Sequence, residues 1–135
     1  MRLEVTRRAD LAVQVVALLA EGGQQKGSDL AAALGASPGF MVQVIGPLVK
    51  AGWVRSEPGP TGGYVLDDTA SSISVLDVVE AVDGPTDTGR CVVADRPCGR
   101  GPVCALHGAW AGARAELMAS LRNVTACNAA TRSAP

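Results

Sequence analysis

The first apolar stretch of the chain has the spacing of an amphipathic helix. Its apolar side chains recur three and four residues apart, at Leu11, Val15, Leu18 and Leu19. Thr6 precedes them as a suitable N-cap residue, and two consecutive glycines at 22–23 follow them. The pattern therefore predicts a helix over residues 6–20.

Two further helices are predicted with only a two-residue turn between them. Ser28 is expected to cap the first, which ends at Gly35. Ser37 is expected to cap the second, with Pro38 at its first position and an end near Lys50. Two helices joined this tightly are typical of a helix-turn-helix, whose second helix enters the major groove of DNA.

The third helix has an apolar face and a nearly uncharged outer face. The predicted inward positions are Phe40, Met41, Val44, Ile45 and Leu48. The outward positions are Gly39, Val42, Gln43 and Gly46. Of these four, only Gln43 carries a side chain able to make a bidentate contact to a base. Pro47 removes one helical hydrogen bond, so we expect a bend or a loosened last turn there.

A short β-hairpin is predicted directly after this helix. Two strand-like segments, 53–56 and 64–66, flank the sequence EPGPTGG. A hairpin in this position is typical of the wing of a winged helix. Gly62 and Gly63 would let the backbone approach a phosphate, and Thr61 and backbone N–H groups would donate to it. The alternative is an ordinary hairpin loop.

The second half of the chain predicts a helix, a loop and a longer helix. Ser74 begins a capping-box-like start to a helix that ends near Asp83. Residues 84–103 contain glycine and proline without periodicity, which predicts a loop, and loops of this length are usually either functional or disordered. A heptad-like apolar seam then follows, at Leu106, Trp110, Ala113, Leu117, Leu121 and Val124. Pairing with a second copy of the chain would cover that seam. From Asn123 onward the sequence is polar and predicts a frayed tail.

Composition limits the classes of protein that fit. The chain has 135 residues, 47% of them hydrophobic and 19% charged, which is typical of one globular domain with or without an appendage. A net charge of −1 argues against a protein that simply coats nucleic acid, while leaving site-specific DNA binding open. The N-terminus resembles a signal peptide, but Asp10 and Glu21 bound an apolar run too short to span a membrane. We therefore predict a cytoplasmic protein with no membrane partner.

The loop and the start of the last helix contain a cluster of metal-ligand residues. Cys91, Cys98, Cys104 and His107 are spaced C-x6-C-x5-C-x2-H. Such a set can hold zinc as Cys3His, but zinc ligands usually come in tighter C-x2-C pairs, so the wide gaps favour an iron–sulfur cluster. Two other interpretations stay open: the thiols form a regulatory disulfide, or His107 only packs the helix. Cys127 stands apart and is interpreted as incidental.

Nearly the whole chain resembles the iron–sulfur winged-helix transcription regulators typified by IscR, NsrR and RsrR. The resemblance lies in MRLEVTRRADLAV, SPGFMVQVIGPLVKAGWV, GPTGGYVL and SISVLDVVEAVDG. It continues through C-x6-C-x5-C-x2-H-x2-W and LRNVT. The resemblance implies a homodimeric regulator that binds a double-stranded DNA operator and holds a cluster through three cysteines and one other ligand.

The resemblance leaves two candidates for the fourth ligand. His107 matches the IscR-like position, which implies a 2Fe–2S cluster and is the favoured alternative. Asp10 matches the NsrR-like position, where the partner subunit's aspartate completes a 4Fe–4S site. The x6 gap is one residue longer than the family's usual x5, and Pro58 stands where IscR-like proteins have arginine. Arg55 or Thr61 would then supply the phosphate contacts of the wing.

The sequence thus predicts a mainly α protein with a small β-hairpin wing: a winged helix-turn-helix followed by a long dimerisation helix. The predicted parts are 1–83 (DNA-binding domain), 84–104 (cluster-binding loop), 105–126 (dimerisation helix) and 127–135 (flexible tail). The predicted DNA-binding residues are Ser37, Phe40, Gln43, Lys50, Arg55, Thr61, Gly62 and Gly63.

The predicted function is transcription regulation in response to redox state, nitric oxide or iron–sulfur status. Loss or oxidation of the cluster would release the loop and change the spacing of the two recognition helices. The alternative is a cluster-free winged-helix regulator that responds by cysteine oxidation or zinc binding. A small electron carrier would leave the helix-turn-helix unexplained. No nucleophile–base pair is evident, so an enzyme is not predicted.

Overall fold

The structure is a computed structural model and describes residues 4–93, 96–97 and 104–129. In those residues there are five α-helices and two strands: α1 (Arg7–Gly22), α2 (Gly27–Leu34), α3 (Pro38–Lys50), β1 (Val54–Glu57), β2 (Gly63–Leu66), α4 (Val75–Asp83) and α5 (His107–Arg122). Two 3-10 turns lie at Asp68–Ser72 and Ala126–Asn128. The predicted fold class, mainly helical with a hairpin wing, is confirmed.

Three of the predicted helix caps are present. Thr6 Oγ1 accepts a hydrogen bond from the N–H of Ala9, at 3.1 Å, and begins α1. Ser37 Oγ accepts from Phe40 in the same way and begins α3. Ser74 forms a full capping box at the start of α4. Each cap satisfies a backbone N–H that has no partner inside its helix.

The predicted cap of α2 is wrong. The helix begins at Gly27, with Lys26 at the N-cap and no side-chain cap bond, so Ser28 lies inside it. Backbone hydrogen bonds join Gln25 and Tyr64 in both directions, at 3.0 and 2.7 Å. The ring of Tyr64 lies so close to Gly27 that a Cβ there would be 3.2 Å from it. A contact distant in sequence therefore sets where α2 begins.

Helices α2 and α3 form the predicted helix-turn-helix. Gly35 ends α2 in the left-handed conformation, at φ 66°, and the two helices are bent by 108° relative to each other. That angle lies within the usual range for this motif. In the described residues no single helix has the length and apolar character to cross a membrane; these two meet the criterion only as a bent pair. Helix α3 continues through Pro47, whose carbonyl accepts from Ala51 at 3.0 Å, so its last turn is not loosened.

The core lies where α1, α3 and α4 meet. Its fully or nearly fully buried side chains include Val15, Val16, Leu30, Met41, Val44, Ile45, Leu48, Val54 and Val78. Phe40 is half-buried at the edge of this cluster. The hairpin pairs antiparallel, with Val54 opposite Leu66 and Glu57 opposite Gly63. The wing therefore extends from the domain that presents α3.

The segment after α5 returns to this core, so the predicted fraying from Asn123 is wrong up to residue 129. The carbonyl of Val124 accepts from Val75 at 2.8 Å, and Ala126 donates to Ile73 at 2.9 Å. Ala126 is fully buried against α1. These contacts end α5 at Arg122, short of the predicted 126. Cys127 is half-buried and its thiol donates to the Ala70 carbonyl, which makes it a packing residue; residues 130–135 lie outside the described part.

Candidate DNA-binding face and metal centre

The outer face of α3 is exposed over its whole length. Gly39, Val42, Gln43 and Gly46 are all exposed, and Val42 retains 64% of its accessible surface. The face can fill a groove by shape, with Gln43 as its one side chain for base contacts.

The other predicted residues of α3 differ in their surroundings. Ser37 and Lys50 are exposed at the two ends of the helix. Phe40 packs against the core and lies under the guanidinium of Arg7, 5.5 Å from the ring centroid. Phe40 therefore orients α3 by packing, while Ser37 and Lys50 are accessible to a nucleic acid.

The wing is fastened to the domain at its base and near its tip. Arg55 is 58% exposed and lies 3.5 Å from the carboxylate of Asp67. The hydroxyl and N–H of Thr69 donate to Asp67 and, with a smaller contribution from Arg55, hold the pKa of that carboxyl below its ordinary value. Thr61 is exposed, and its carbonyl accepts from the Gln24 amide at 2.8 Å.

The two wing glycines are required by contacts within the chain. A Cβ on Gly62 would lie 2.1 Å from the Glu57 carbonyl oxygen, and one on Gly63 would lie 2.6 Å from the Gln25 oxygen. The N–H of Gly62 donates to Gly59 at 2.9 Å, so it is not available to a phosphate in this conformation. The sequence predicted that these glycines let the backbone approach a phosphate; in this structure both lie close to protein backbone.

Two of the predicted metal ligands line one cavity at the start of α5. The cavity has a volume of about 260 Å³, and both Cys104 and His107 lie on its wall. The N–H of His107 donates to the Cys104 carbonyl at 3.1 Å, which fixes the two residues in one turn. Arg90 and Val92, on either side of Cys91, line the opposite wall.

Cys91 is half-buried in a short turn of the loop. Its N–H donates to the Arg96 carbonyl at 2.9 Å, and its sulfur accepts from the N–H of Val93 at 3.4 Å. Cys98 lies outside the described residues. In the part of the chain that the structure describes, no three His, Cys, Asp or Glu side chains come together as a metal site. Of the described candidate ligands, Cys104 and His107 line the same cavity.

Asp10, the other candidate for the fourth ligand, lies on α1 and not on the wall of this cavity. It is exposed in the first turn of α1, and its carboxylate accepts from the Gln14 amide at 2.9 Å.

An ion pair beside the cavity was not predicted from the sequence. Arg114 and Asp87 lie 3.4 Å apart and join α5 to the loop, and both line the cavity with Trp110. The available signal was spacing, because Trp110 and Arg114 follow His107 by three and seven residues and share its helix face. The partner in the loop has no such periodicity and could not be identified.

A recognition helix, a wing and an adjoining cysteine-bearing loop define a DNA-binding transcription regulator. The chain belongs to the Rrf2 family, described as iron-dependent transcriptional regulators, which it matches over residues 5–128. It is 37% identical over 119 residues to the HTH-type transcriptional regulator IscR of Escherichia coli, covering 88% of this chain and 73% of that protein. These matches confirm the predicted family, and with it a regulator and not an enzyme.

Solved structures agree on the fold. CymR of B. subtilis, named the global cysteine regulator, superposes with a TM-score of 0.77 at 23% identity, covering 93% of this chain and 94% of that one. T. potens IscR superposes with a TM-score of 0.73 at 23% identity, covering 93% and 85%.

Proposed function

We propose that this regulator is a homodimer whose DNA binding responds to an iron–sulfur cluster held by Cys91, Cys98, Cys104 and a fourth ligand. The observation that carries the proposal is the cavity of about 260 Å³ at the start of α5, because Cys104 and His107 both line it. Thiolate and imidazole are the donors that iron–sulfur clusters take in proteins. When bound, the cluster would supply one-electron chemistry and reactivity towards oxidants and nitric oxide.

His107 is the favoured fourth ligand. It lies in the same turn as Cys104, so one chain supplies both donors without rearrangement. This arrangement corresponds to a 2Fe–2S cluster. Asp10 of a second chain is the alternative, corresponding to 4Fe–4S, and its exposed position on α1 leaves it accessible to a partner subunit.

The surface of α5 supports the homodimer. None of its residues is buried in one chain. Leu106, Leu117 and Val124 keep 43%, 46% and 43% of their surface exposed along the predicted seam. Leu117→Glu is expected to give monomers in size-exclusion chromatography with light scattering, whereas Glu116→Gln, on the neighbouring exposed position, should leave the dimer intact.

The contacts between loop and DNA-binding domain support a route for the response. Asp87 binds Arg114 and so ties the loop to α5. Four residues before Asp87, at the last residue of α4, the Asp83 carboxylate accepts from the Thr6 hydroxyl at 2.7 Å, and Thr6 is the cap of α1. A rearrangement of residues 84–104 thus acts at once on the dimer helix and on the helix that packs against α3.

Anaerobic purification with iron, sulfide and zinc assays tests the cluster. We expect coloured protein with iron and acid-labile sulfide, and colourless protein with one zinc per chain would refute the proposal. Cys91→Ser and Cys104→Ser should each lose the colour. Cys127→Ser is the matched control, because that thiol packs beside Ala70 and does not line the cavity, and it should keep the colour.

The fourth ligand is tested by two single variants. His107→Ala should change the visible spectrum of the cluster, and Asp10→Ala should not; the reverse result would assign the ligand to the partner's first helix. Gel shifts with DNA upstream of the chain's own coding sequence, with and without cluster, test the response. Equal binding in both forms would favour the cluster-free regulator that responds by cysteine oxidation or zinc. We place the protein in the cytoplasm, where reduced thiols remain available as ligands.

A further inference from the structure

The recognition helix lacks the charge that DNA binding requires. Lys50, in the last turn, is its only ionisable residue, and the exposed face from Gly39 to Gly46 carries no charge. Protein affinity for DNA derives largely from Lys and Arg side chains that neutralise phosphates. The cations at the other end of α3 must therefore come from a neighbouring element.

Arg7, the first residue of α1, lies at that end. Its Nη2 donates to the carbonyl of Gly35, in the turn between α2 and α3, at 3.2 Å. Its guanidinium also lies over the Phe40 ring, 5.5 Å from the centroid. The residue is nevertheless exposed. Two contacts thus hold an accessible positive charge against the first turn of α3.

The position of Phe40 on α3 gives the direction in which this charge faces. Each residue advances about 100° around an α-helix, so Phe40 lies on the flank between the exposed face at Gly39 and Gln43 and the buried face at Val44. A helix with its side chains is about 10–12 Å across and fills the major groove, which is about 12 Å wide. The flanks of a helix in the groove therefore face the phosphate walls. Arg7, lying over that flank, faces one of them.

The Arg7 guanidinium has further N–H groups that can donate to a phosphate. It carries five N–H groups in a planar fork, and one is given to Gly35. Glu4 and Asp10 are the nearest acids in the sequence, each three residues from Arg7. The Asp10 carboxylate accepts from Gln14, and in the described residues neither acid forms an ion pair with Arg7.

We propose that Arg7 contacts a DNA phosphate beside the first turn of α3 while fixing the orientation of that helix. It is a DNA-binding residue outside the set predicted from the sequence. The inference uses only the DNA-binding fold and is independent of the cluster.

The salt dependence of DNA binding tests it. The probe is a duplex that the wild-type chain enriches from a random-sequence pool, measured by fluorescence anisotropy at a series of salt concentrations, with all variants in the same cluster state. Each phosphate contact contributes about 0.9 to the slope of log affinity against log salt. Arg7→Ala and Arg7→Gln should each reduce the slope by about 0.9 per bound protomer. Arg7→Lys keeps the charge and should keep the slope, with weaker affinity because lysine lacks the fork.

Arg8→Ala is the matched control. Arg8 is half-buried and donates to the Val82 carbonyl of α4 at 2.8 Å, so its loss should leave the slope unchanged. Thermal melts of every variant establish that the proteins are folded. An unchanged slope in folded Arg7→Gln, even with weaker binding, would mean that Arg7 is only structural and would overturn the proposal. An equal change in Arg8→Ala would overturn it too.

Discussion

The close approach of Gly63 to the backbone of Gln25 gives a quantitative test of the structure. Gly63 has φ 145°, and a Cβ there would lie 2.6 Å from the Gln25 carbonyl oxygen and 2.8 Å from its carbon. Because both atoms belong to backbone, no side-chain rotation can relieve the overlap in Gly63→Ala. Either the chain stays strained or the hairpin separates from Gln25.

In Gly63→Ala, separation of the hairpin from Gln25 is the less costly of these two responses. It breaks the two hydrogen bonds between Gln25 and Tyr64, each worth about 0.5–1.5 kcal/mol net. An alanine at this φ adds about 1–3 kcal/mol of backbone strain. Together these predict a loss of about 4 kcal/mol (range about 2–6) in the free energy of unfolding, against about 5–15 kcal/mol for a typical domain. Gly63→Ala should therefore fold, with a displaced wing and weaker DNA binding.

The control is Gly59→Ala. Gly59 also has a positive φ, 96°, but a Cβ there has no atom within 4 Å, so it adds strain without overlap. Urea unfolding followed by circular dichroism, at one fixed protein concentration, gives both values. Hydrogen exchange of the wing amides shows whether the hairpin has separated. If Gly63→Ala is no less stable than Gly59→Ala, the close contact between Gly63 and the Gln25 backbone is refuted.

Three further predictions concern stability and use the same unfolding assay. Ser74→Ala should lower the free energy of unfolding by about 1–2 kcal/mol because it removes a buried helix cap. Ser28 caps no helix, so Ser28→Ala should change this free energy by less than about 0.5 kcal/mol. Equal effects of the two substitutions would contradict the assigned caps. Gly112→Ala should raise the free energy of unfolding by about 0.5–1 kcal/mol, since the methyl enters open space at an exposed position inside α5, and a loss would contradict that placement. Hydrogen bonds from Thr69 are the main cause of the lowered pKa of Asp67 in the folded state. The ionised carboxylate therefore stabilises the fold at pH values above the ordinary aspartate pKa of about 3.9. This stabilisation is lost as the pH falls through the lowered folded-state pKa. Asp67→Asn should therefore flatten stability against pH in that acidic range, and an unchanged profile would contradict the assignment.

Local signals in the sequence predicted local structure well. Thr6, Ser37 and Ser74 cap helices because each cap depends on a bond to an N–H three residues along. The exposed and buried faces of α3 followed from periodicity alone. The apolar seam of α5 also lies on a surface that one chain leaves uncovered.

Contacts distant in sequence could not be predicted. The start of α2 depends on Tyr64, and the end of α5 depends on Val75 binding Val124. Ala126 is buried although its neighbours are polar, so no pattern marked it. At the candidate metal site the sequence placed Cys104 and His107 on one helix turn, but not the ion pair between Asp87 and Arg114, which are 27 residues apart.

Because the C-terminal end of α5 is fixed to the DNA-binding domain, a displacement of its N-terminal end rotates the helix about that fixed end. Its C-terminal end is fixed to the DNA-binding domain through Val124 and Ala126, while Cys104 and His107 lie at the opposite end of 16 helical residues, about 24 Å away. A displacement of about 2 Å at the cysteine end corresponds to a rotation of about 5° at the anchor. In a two-fold dimer the two rotations add, and the recognition helices turn by about 10° relative to each other. Under the proposed function, a small displacement of the loop at the cavity would therefore change the angle between the two DNA-binding domains of the dimer.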